Sequence, residues 1–347
     1  MSYYLLPFWS ALILSIILTP LIRKLALKWQ IVDYPTPRKI HSRPTPLLGG
    51  VAIFLSFTLM TLVFWYLGRI TDVKISNFQV LTLLIASLIL IIGGFLDDKY
   101  NLKPQYQFIF PLLAILLVIY SGIKIQYITN PFGGVIEFFT TAGIILAAIW
   151  LLGMIYTTKF LDGLDGLVSG VTFIGALIIF VVSLYWDVPL SGTSVLAIIL
   201  AGATLGFLPA NWHPAKIFLG EGGSIFCGFM LGVLAIISGS KVATALLIMG
   251  IPILDVAWVI IRRIWQGRSP TKGDRKHLHF RLLDIGLSHP QAVIFLLFLT
   301  GIFGTTSLFL HTKGKIIALI VLALIMIIIA LALFSIYKSR NKPHTLA

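Results

Sequence analysis

Residues 78–98 read Phe78-Gln-Val-Leu-Thr-Leu-Leu-Ile-Ala-Ser-Leu-Ile-Leu-Ile-Ile-Gly-Gly-Phe-Leu96-Asp97-Asp98. The stretch from Phe78 to Leu96 carries no charge, and as a helix it would cross the roughly 30 Å of a bilayer's hydrocarbon core. Two adjacent carboxylates then stand at its polar end. Similar apolar runs lie at Tyr4 to Ala26, Gly49 to Leu67, Phe108 to Ser121, Phe139 to Thr157 and Gly163 to Trp186. Others are Thr193 to Ala210, Ile217 to Ser238, Val242 to Ile261, Ala292 to Leu310 and Ile316 to Tyr337. Eleven spans are expected, the fourth short enough to be tilted or partly interfacial. The first run is too long for a signal peptide and no A-x-A site follows it, so cleavage is not expected.

Composition agrees. Apolar residues make up 58% of the 347 and charged residues 11%, and mean hydropathy is +1.01. A soluble domain would carry about a quarter charged residues, so a soluble globule, a disordered chain and a disulfide scaffold are all excluded. Cys227 is the single cysteine, which rules out intrachain disulfides and cysteine-based metal clusters. The expectation is an all-α polytopic membrane bundle forming one domain over residues 1–347. The formal charge of +14 then belongs to loops facing anionic lipid and the cytoplasm, with part of it available to an anionic substrate, and is no signal for nucleic acid.

Counting Lys and Arg in alternate connections gives orientation. One set, which includes Arg23 to Arg43, Lys99, Lys103, Lys159, Lys216, the 262–281 loop and the tail, holds twenty. The other set, Arg69, Lys74, Lys124, Lys241, Lys313 and Lys315, holds six. The bias puts the amino terminus outside and the carboxyl terminus in the cytoplasm. Most acids fall on the same inner face, and only Asp72, Glu137 and Asp187 fall outside. Turn residues between β-prone pairs predict a small external hairpin near 125–137.

Four clusters stand out, each with a plain alternative. Asp97 and Asp98 repel one another near the negative end of a helix dipole, a penalty that a bound cation would relieve; the alternative is a pair of solvated juxtamembrane acids, with Gly93 and Gly94 as packing residues. In Asp162-Gly-Leu-Asp165-Gly166, opening the sixth span, a three-residue spacing would put both acids on one helix face with Asp165 a turn deep; the alternative is a helix cap and a dipole-complementing acid. Glu221 in Phe218-Leu-Gly-Glu-Gly-Gly-Ser224 starts a helix among glycines, which suits a metal-bound carboxylate with backbone amides facing phosphate, or a plain Gly-rich turn. Asp274-Arg-Lys-His277-Leu-His279-Phe-Arg281 alternates cations and imidazoles, as an anion- and sugar-binding surface would, or as a lipid-facing basic loop would. The 33–41 segment with Lys39 and His41 is a weaker example. Carboxylates for a hard cation beside Lys, Arg and His for phosphates, all on one membrane face, are what a Mg²⁺-dependent enzyme acting on a phosphorylated substrate requires.

These residues, with Pro214 to Ser224 and Pro252-Ile-Leu-Asp255, resemble the bacterial polyprenyl-phosphate N-acetylhexosamine-1-phosphate transferases (glycosyl transferase family 4), most of all the undecaprenyl-phosphate N-acetylglucosamine branch. The resemblance implies an eleven-span bundle in the bacterial plasma membrane with a cytoplasmic active site. It implies transfer of N-acetylglucosamine 1-phosphate, or of a related amino-sugar phosphate, from a UDP-sugar to undecaprenyl phosphate, with UMP released. This would be the first membrane step of a cell-envelope polysaccharide such as lipopolysaccharide or teichoic acid. Mg²⁺ is the implied cofactor, with Mn²⁺ as an alternative. By motif position Asp97, Asp98, Asp162 and Asp165 would be catalytic and Glu221 and Asp162 metal-binding. Lys39, His41, Lys159, Asn211, Lys216, His277, His279 and Arg281 would contact substrate. The family usually has asparagine where Tyr156 and Lys159 stand, aspartate for Glu221, histidine for Phe280 and lysine for Gln107. Those departures keep open a catalytically silent member that binds polyprenyl phosphate or scaffolds glycan assembly. A secondary transporter is a further alternative, without an inverted repeat to support it. A homodimer also stays open, since an apolar outer surface suits lipid and a second protomer alike.

Overall fold

The computed structural model describes residues 2–35, 43–238, 242–267 and 277–340. In chain order the elements are α1 (Ser2–Lys28), β1 (Val32–Asp33), β2 (Thr45–Pro46), α2 (Gly49–Tyr66), α3 (Asn77–Tyr100), α4 (Pro104–Tyr120), β3 (Tyr127–Thr129) and β4 (Val135–Glu137). They continue with α5 (Thr140–Leu161), α6 (Leu167–Trp186), α7 (Gly192–Asn211), α8 (Gly220–Ile237), α9 (Val242–Ile248), α10 (Gly250–Trp265), α11 (Leu278–Asp284), α12 (His289–Phe309) and α13 (Thr312–Arg340). The protein is an all-α polytopic membrane bundle: in hydrocarbon an isolated apolar segment satisfies its backbone only as a helix. Among the described residues nine helices are long and apolar enough to cross a membrane.

Two expected spans look different. The fourth is α4, a helix of 17 residues opening on Pro104. The ninth, expected as one run from Val242 to Ile261, is broken at Met249 into α9 and α10, bent by 77°. Pro252 lies in the first turn of α10, where its missing N–H needs no partner, whereas a straight helix through 249 would have required that N–H to donate. A third difference matters more for the site. The sixth span starts at Leu167, so residues 162–166 form a turn after α5 and not the first turn of α6. Gly166, at φ +80°, makes that turn possible.

α8 is the axis of the bundle. Of its membrane-crossing window 89% is buried, against 28% for α1 and 6% for α13, and α2, α3, α5 and α6 pack around it. Its first turn is gripped by glycines: a methyl on Gly50 of α2 would collide with the backbone of Gly223, and one on Gly94 of α3 with that of Gly222. The amides of Gly49 and Gly50 donate to the carbonyls of Phe218 and Leu219 (2.9 and 2.7 Å). The ends of α2, α3 and α8 are thereby brought to backbone contact. The β3–β4 hairpin pairs Tyr127 with Glu137 antiparallel, where the turn residues place it.

Candidate active site

A cavity of about 810 Å³ opens where the end of α3, the 162–166 turn and the start of α8 converge, and Asp97, Asp98, Asp162, Asp165 and Glu221 all line it. Asn211, His213, Phe280 and His289 line it too. Five carboxylates spread over 125 residues of sequence are thus gathered in one space. Its volume falls in the range of small-molecule sites. The acids at the other ends of α3 and α6, Asp72 and Asp187, are set apart by the length of α3, about 36 Å at 1.5 Å per residue, and serve structure there: Asp72 accepts from Gly192 N–H (2.7 Å) and Asp187 pairs with Lys74 (3.1 Å).

Each acid is held differently. Asp97 Oδ1 accepts from Leu102 N–H (2.8 Å) and Gln107 Nε2 (3.0 Å), and Asp98 accepts from the amide of Glu221 (3.1 Å to Oδ1). That amide is therefore spent on Asp98 and does not face phosphate, contrary to the expectation for the Gly-rich turn. Glu221 itself forms an ion pair with Lys159, whose ammonium also donates to Gln107 Oε1 (2.9 Å). Asp165 Oδ2 accepts from Ala215 N–H (3.1 Å) and bonds His213 Nδ1 (2.8 Å), so Nε2, which has no partner among the described residues, is the ring nitrogen left for the cavity. Asp162 makes no side-chain hydrogen bond or ion pair among the described residues. Its carboxyl is pushed up to about 8, first by burial amid protein and then by the charges of Glu221 and Asp165. The side chain nevertheless opens onto the cavity. Asp162 and Asp165 do not share a helix face: Asp162 caps the carboxyl end of α5, where the dipole opposes its charge, and the turn, not a helix, aims both acids inward. Five carboxylates lining one cavity, with that of Asp162 unpartnered among the described residues, offer the oxygen donors that a hard dication takes.

The basic residues divide. Lys159 is inside the acid cluster. Asn211 lines the cavity but is tied up structurally: its Oδ1 accepts from Gly166 N–H (3.1 Å) and Ser169 Oγ (2.9 Å), and its Nδ2 donates to Ile217 O (3.1 Å). Lys216 is exposed and outside the lining, with its carbonyl bonded by Arg23 Nε (3.0 Å). Lys39 and His41 lie outside the described residues. The 277–281 segment does not present an alternating surface. It folds into α11, so its faces follow the helical period. His277 Nδ1 bonds Asp255 Oδ2 (2.9 Å), and Leu278 N–H donates to Asp255 Oδ1 (2.8 Å). His279 is buried against Gly163, and burial pushes its imidazole down to about 3, keeping it neutral. Phe280 lines the cavity, while His277, His279 and Arg281 do not. Asp255 of α10 thus ties the start of α11 to that helix.

The sequence gives no sign of one neighbour. His289 Nε2 accepts from the amide of Asp165 (2.8 Å), and its ring stacks on His213 with centroids 4.1 Å apart. In sequence, Ser288-His289-Pro290-Gln291 reads as a capping box, and nothing more local marks the histidine. Ligand atoms of Asp165, His213 and His289 lie within 4.8 Å of one another, but the rings are parallel and both are engaged with Asp165. The trio is a hydrogen-bonded stack.

The chain is 30% identical over 96% of its length to a probable undecaprenyl-phosphate N-acetylglucosaminyl 1-phosphate transferase of Bacillus subtilis, covering 93% of that protein. It is 33% identical to a decaprenyl-phosphate N-acetylglucosaminephosphotransferase of Mycolicibacterium smegmatis, over 88% of this chain and 82% of that one. Residues 80–239 match glycosyl transferase family 4. The chain belongs to this family. An undecaprenyl-phosphate alpha-N-acetylglucosaminyl 1-phosphate transferase of Thermotoga maritima is a further relative, 29% identical over 78% of this chain and 79% of that protein. As a family 4 protein, the chain is a multi-pass membrane transferase. Four of the five residues that the resemblance marks as departures are neighbours. Gln107, Tyr156, Lys159 and Glu221 line one small pocket beside the main cavity, and Lys159 Nζ lies 5.9 Å from the Tyr156 ring. Phe280, the fifth, stands across the cavity beside Gly163.

Proposed function

We propose that the protein transfers an N-acetylhexosamine 1-phosphate, N-acetylglucosamine 1-phosphate in the first instance, from a UDP-sugar to undecaprenyl phosphate at the cytoplasmic face of a bacterial plasma membrane. The observation that carries the proposal is the convergence of Asp97, Asp98, Asp162, Asp165 and Glu221 on one cavity at one end of the bundle, in a chain whose relatives are named for this transfer. A phosphate oxygen of the lipid attacks the β-phosphorus of the sugar nucleotide, the bond from that phosphorus to the bridging oxygen breaks, and UMP leaves with the electron pair. A lipid-linked sugar pyrophosphate remains. In-line displacement between two anions needs positioning and charge neutralisation more than covalent help.

Asp97, Asp98, Asp162 and Glu221 would hold Mg²⁺ or Mn²⁺, which when bound supplies the positive charge that lets two phosphates approach. The rest falls to the chain. Gln107 and the Leu102 amide fix Asp97, and the Glu221 amide fixes Asp98. Asp165 orients His213 so that Nε2 faces the cavity, in reach of a phosphate oxygen or its proton. A phosphate whose second pKa is near 6 needs little help to lose that proton. Phe280 and the turn around Gly163 offer an apolar wall beside the acids, suited to a sugar face or a uracil ring. The lipid-exposed flank leaves room for a homodimer.

The test is purified protein with undecaprenyl phosphate and a panel of UDP-sugars, scoring UMP with and without Mg²⁺. UMP release with at least one UDP-N-acetylhexosamine, abolished by chelation, is expected. Silence across the panel would favour the non-catalytic reading that the Lys159–Glu221 pair motivates.

A further inference from the structure

Lys159 stands where a cation would be wanted. It lies one turn before Asp162 on α5, and its ammonium pairs with Glu221 of α8 and donates to Gln107 Oε1 (2.9 Å). Gln107 is locked in turn, because its Nε2 donates to Asp97 Oδ1 (3.0 Å) and to Leu102 O (2.9 Å). One ammonium therefore reaches Glu221 directly and Asp97 through a single amide, and the Glu221 backbone reaches Asp98. The pair is enclosed, with side-chain exposures of 19% for Lys159 and 21% for Glu221, so the solvent screening that makes surface pairs weak is largely removed. Removing one partner from such a site leaves an uncompensated charge.

A dication coordinated by Glu221 and this ammonium need the same carboxylate and repel each other at close range. We propose that Lys159 is a resident counter-ion that competes with the divalent cation for Glu221, and so sets the affinity of the acid cluster for that cation. The chain would then fold with the carboxylates already partly neutralised, and a cation would bind only by displacing Lys159. The proposal rests on the reading of the cluster as a cation site made above. It concerns occupancy and not turnover.

The experiment is titration of full-length, detergent-purified protein with Mn²⁺, following free Mn²⁺ by electron paramagnetic resonance, alongside thermal unfolding with and without Mg²⁺. Lys159→Met should bind Mn²⁺ about tenfold more tightly than wild type, the scale on which outer-shell partners tune metal affinity. It should also unfold at a lower temperature when cation-free and gain more from Mg²⁺. Lys159→Arg, which keeps the charge, should stay near wild type on both counts. Where Lys159→Met does not fold, Lys159→Gln carries the same comparison. A folded neutral variant that binds Mn²⁺ no more tightly than wild type overturns the proposal, as does absence of Mn²⁺ binding in every form. Tighter binding in a protein that transfers no sugar phosphate supports the counter-ion role while refuting the transfer reaction. Transfer by wild type with Mn²⁺ affinity unmoved by the variant refutes the counter-ion role alone.

Discussion

At the scale of single residues, the acids divide by how they are held, and their replacement should divide the same way. Asp162 has no partner to lose among the described residues, so Asp162→Asn should leave the thermal midpoint within a degree or two of wild type while removing UMP release by at least about a hundredfold. Loss of one preorganised group from a phosphoryl-transfer site costs on that order. Asp165 is tied to His213 and Ala215, so Asp165→Asn should cost both stability and turnover. Activity persisting in Asp162→Asn would remove that residue from the chemistry. His279 gives a pH prediction. Its imidazole is pushed from the usual 6.5 down to about 3 by burial, so between those values the unfolded chain binds a proton that the folded one does not. Stability is then full above about pH 6.5 and falls as pH drops, by up to roughly 1.4 kcal/mol per pH unit. His279→Phe should flatten the acid side of a plot of unfolding temperature against pH between 5 and 7. An unchanged slope would mean that other groups carry it.

At the scale of elements, what makes the site is the closeness of α2, α3 and α8. Gly94→Ala places a methyl against the Gly222 backbone, which has no flexible side chain to yield, so α3 and α8 must part, at about 1–3 kcal/mol. The same shift separates Asp97 and Asp98 from Glu221, and activity should fall with stability. Gly153→Ala on α5 meets nothing within 4 Å and is the matched control, expected to be neutral or stabilising by up to about 1 kcal/mol. Equal effects of the two substitutions in detergent unfolding would remove the packing argument. Asp255 belongs to the same scale, since it fastens α11 to α10. Asp255→Ala leaves His277 and the Leu278 amide without their acceptor at a buried site, at about 1–3 kcal/mol. Asp255→Asn, which keeps one carbonyl, should cost less. Most of these elements are legible in sequence, because a run without charges has few ways to exist in lipid. The breaks are less so: Gly163 to Trp186 reads as one apolar run, and only the positive φ of Gly166 shows that the acids precede the helix. The histidines near 277 misled for a related reason. An alternation of charge reads as an exposed strip until it is known that the segment coils and that Asp255, 22 residues earlier, claims one imidazole.

At the scale of the whole molecule, positive-inside counting groups the loops of the five acids, a constraint that acts over any sequence distance, and all five acids line one cavity. Pairings inside that group escape it. Nothing in sequence tells Lys159 to choose Glu221 over Asp162, or places His289 on Asp165, since those choices are made by helix packing. The orientation of the bundle yields the last prediction. Cys227 is fully buried, so the unaltered protein should be silent to a membrane-impermeant maleimide and needs no background mutation. Phe132, at the tip of the β3–β4 hairpin and 89% exposed, carries the outer-face label as Phe132→Cys. Asp284, exposed at the end of α11, carries the inner-face label as Asp284→Cys. In intact cells the first should react at once and the second only after permeabilisation. The reverse order would put the acid cavity outside, away from any cytoplasmic sugar nucleotide, and the proposed reaction would fall with it. Equal labelling of both before permeabilisation would place the two sites on one face, as four crossings between residues 132 and 284 would, with the bent α9–α10 pair turning back instead of crossing.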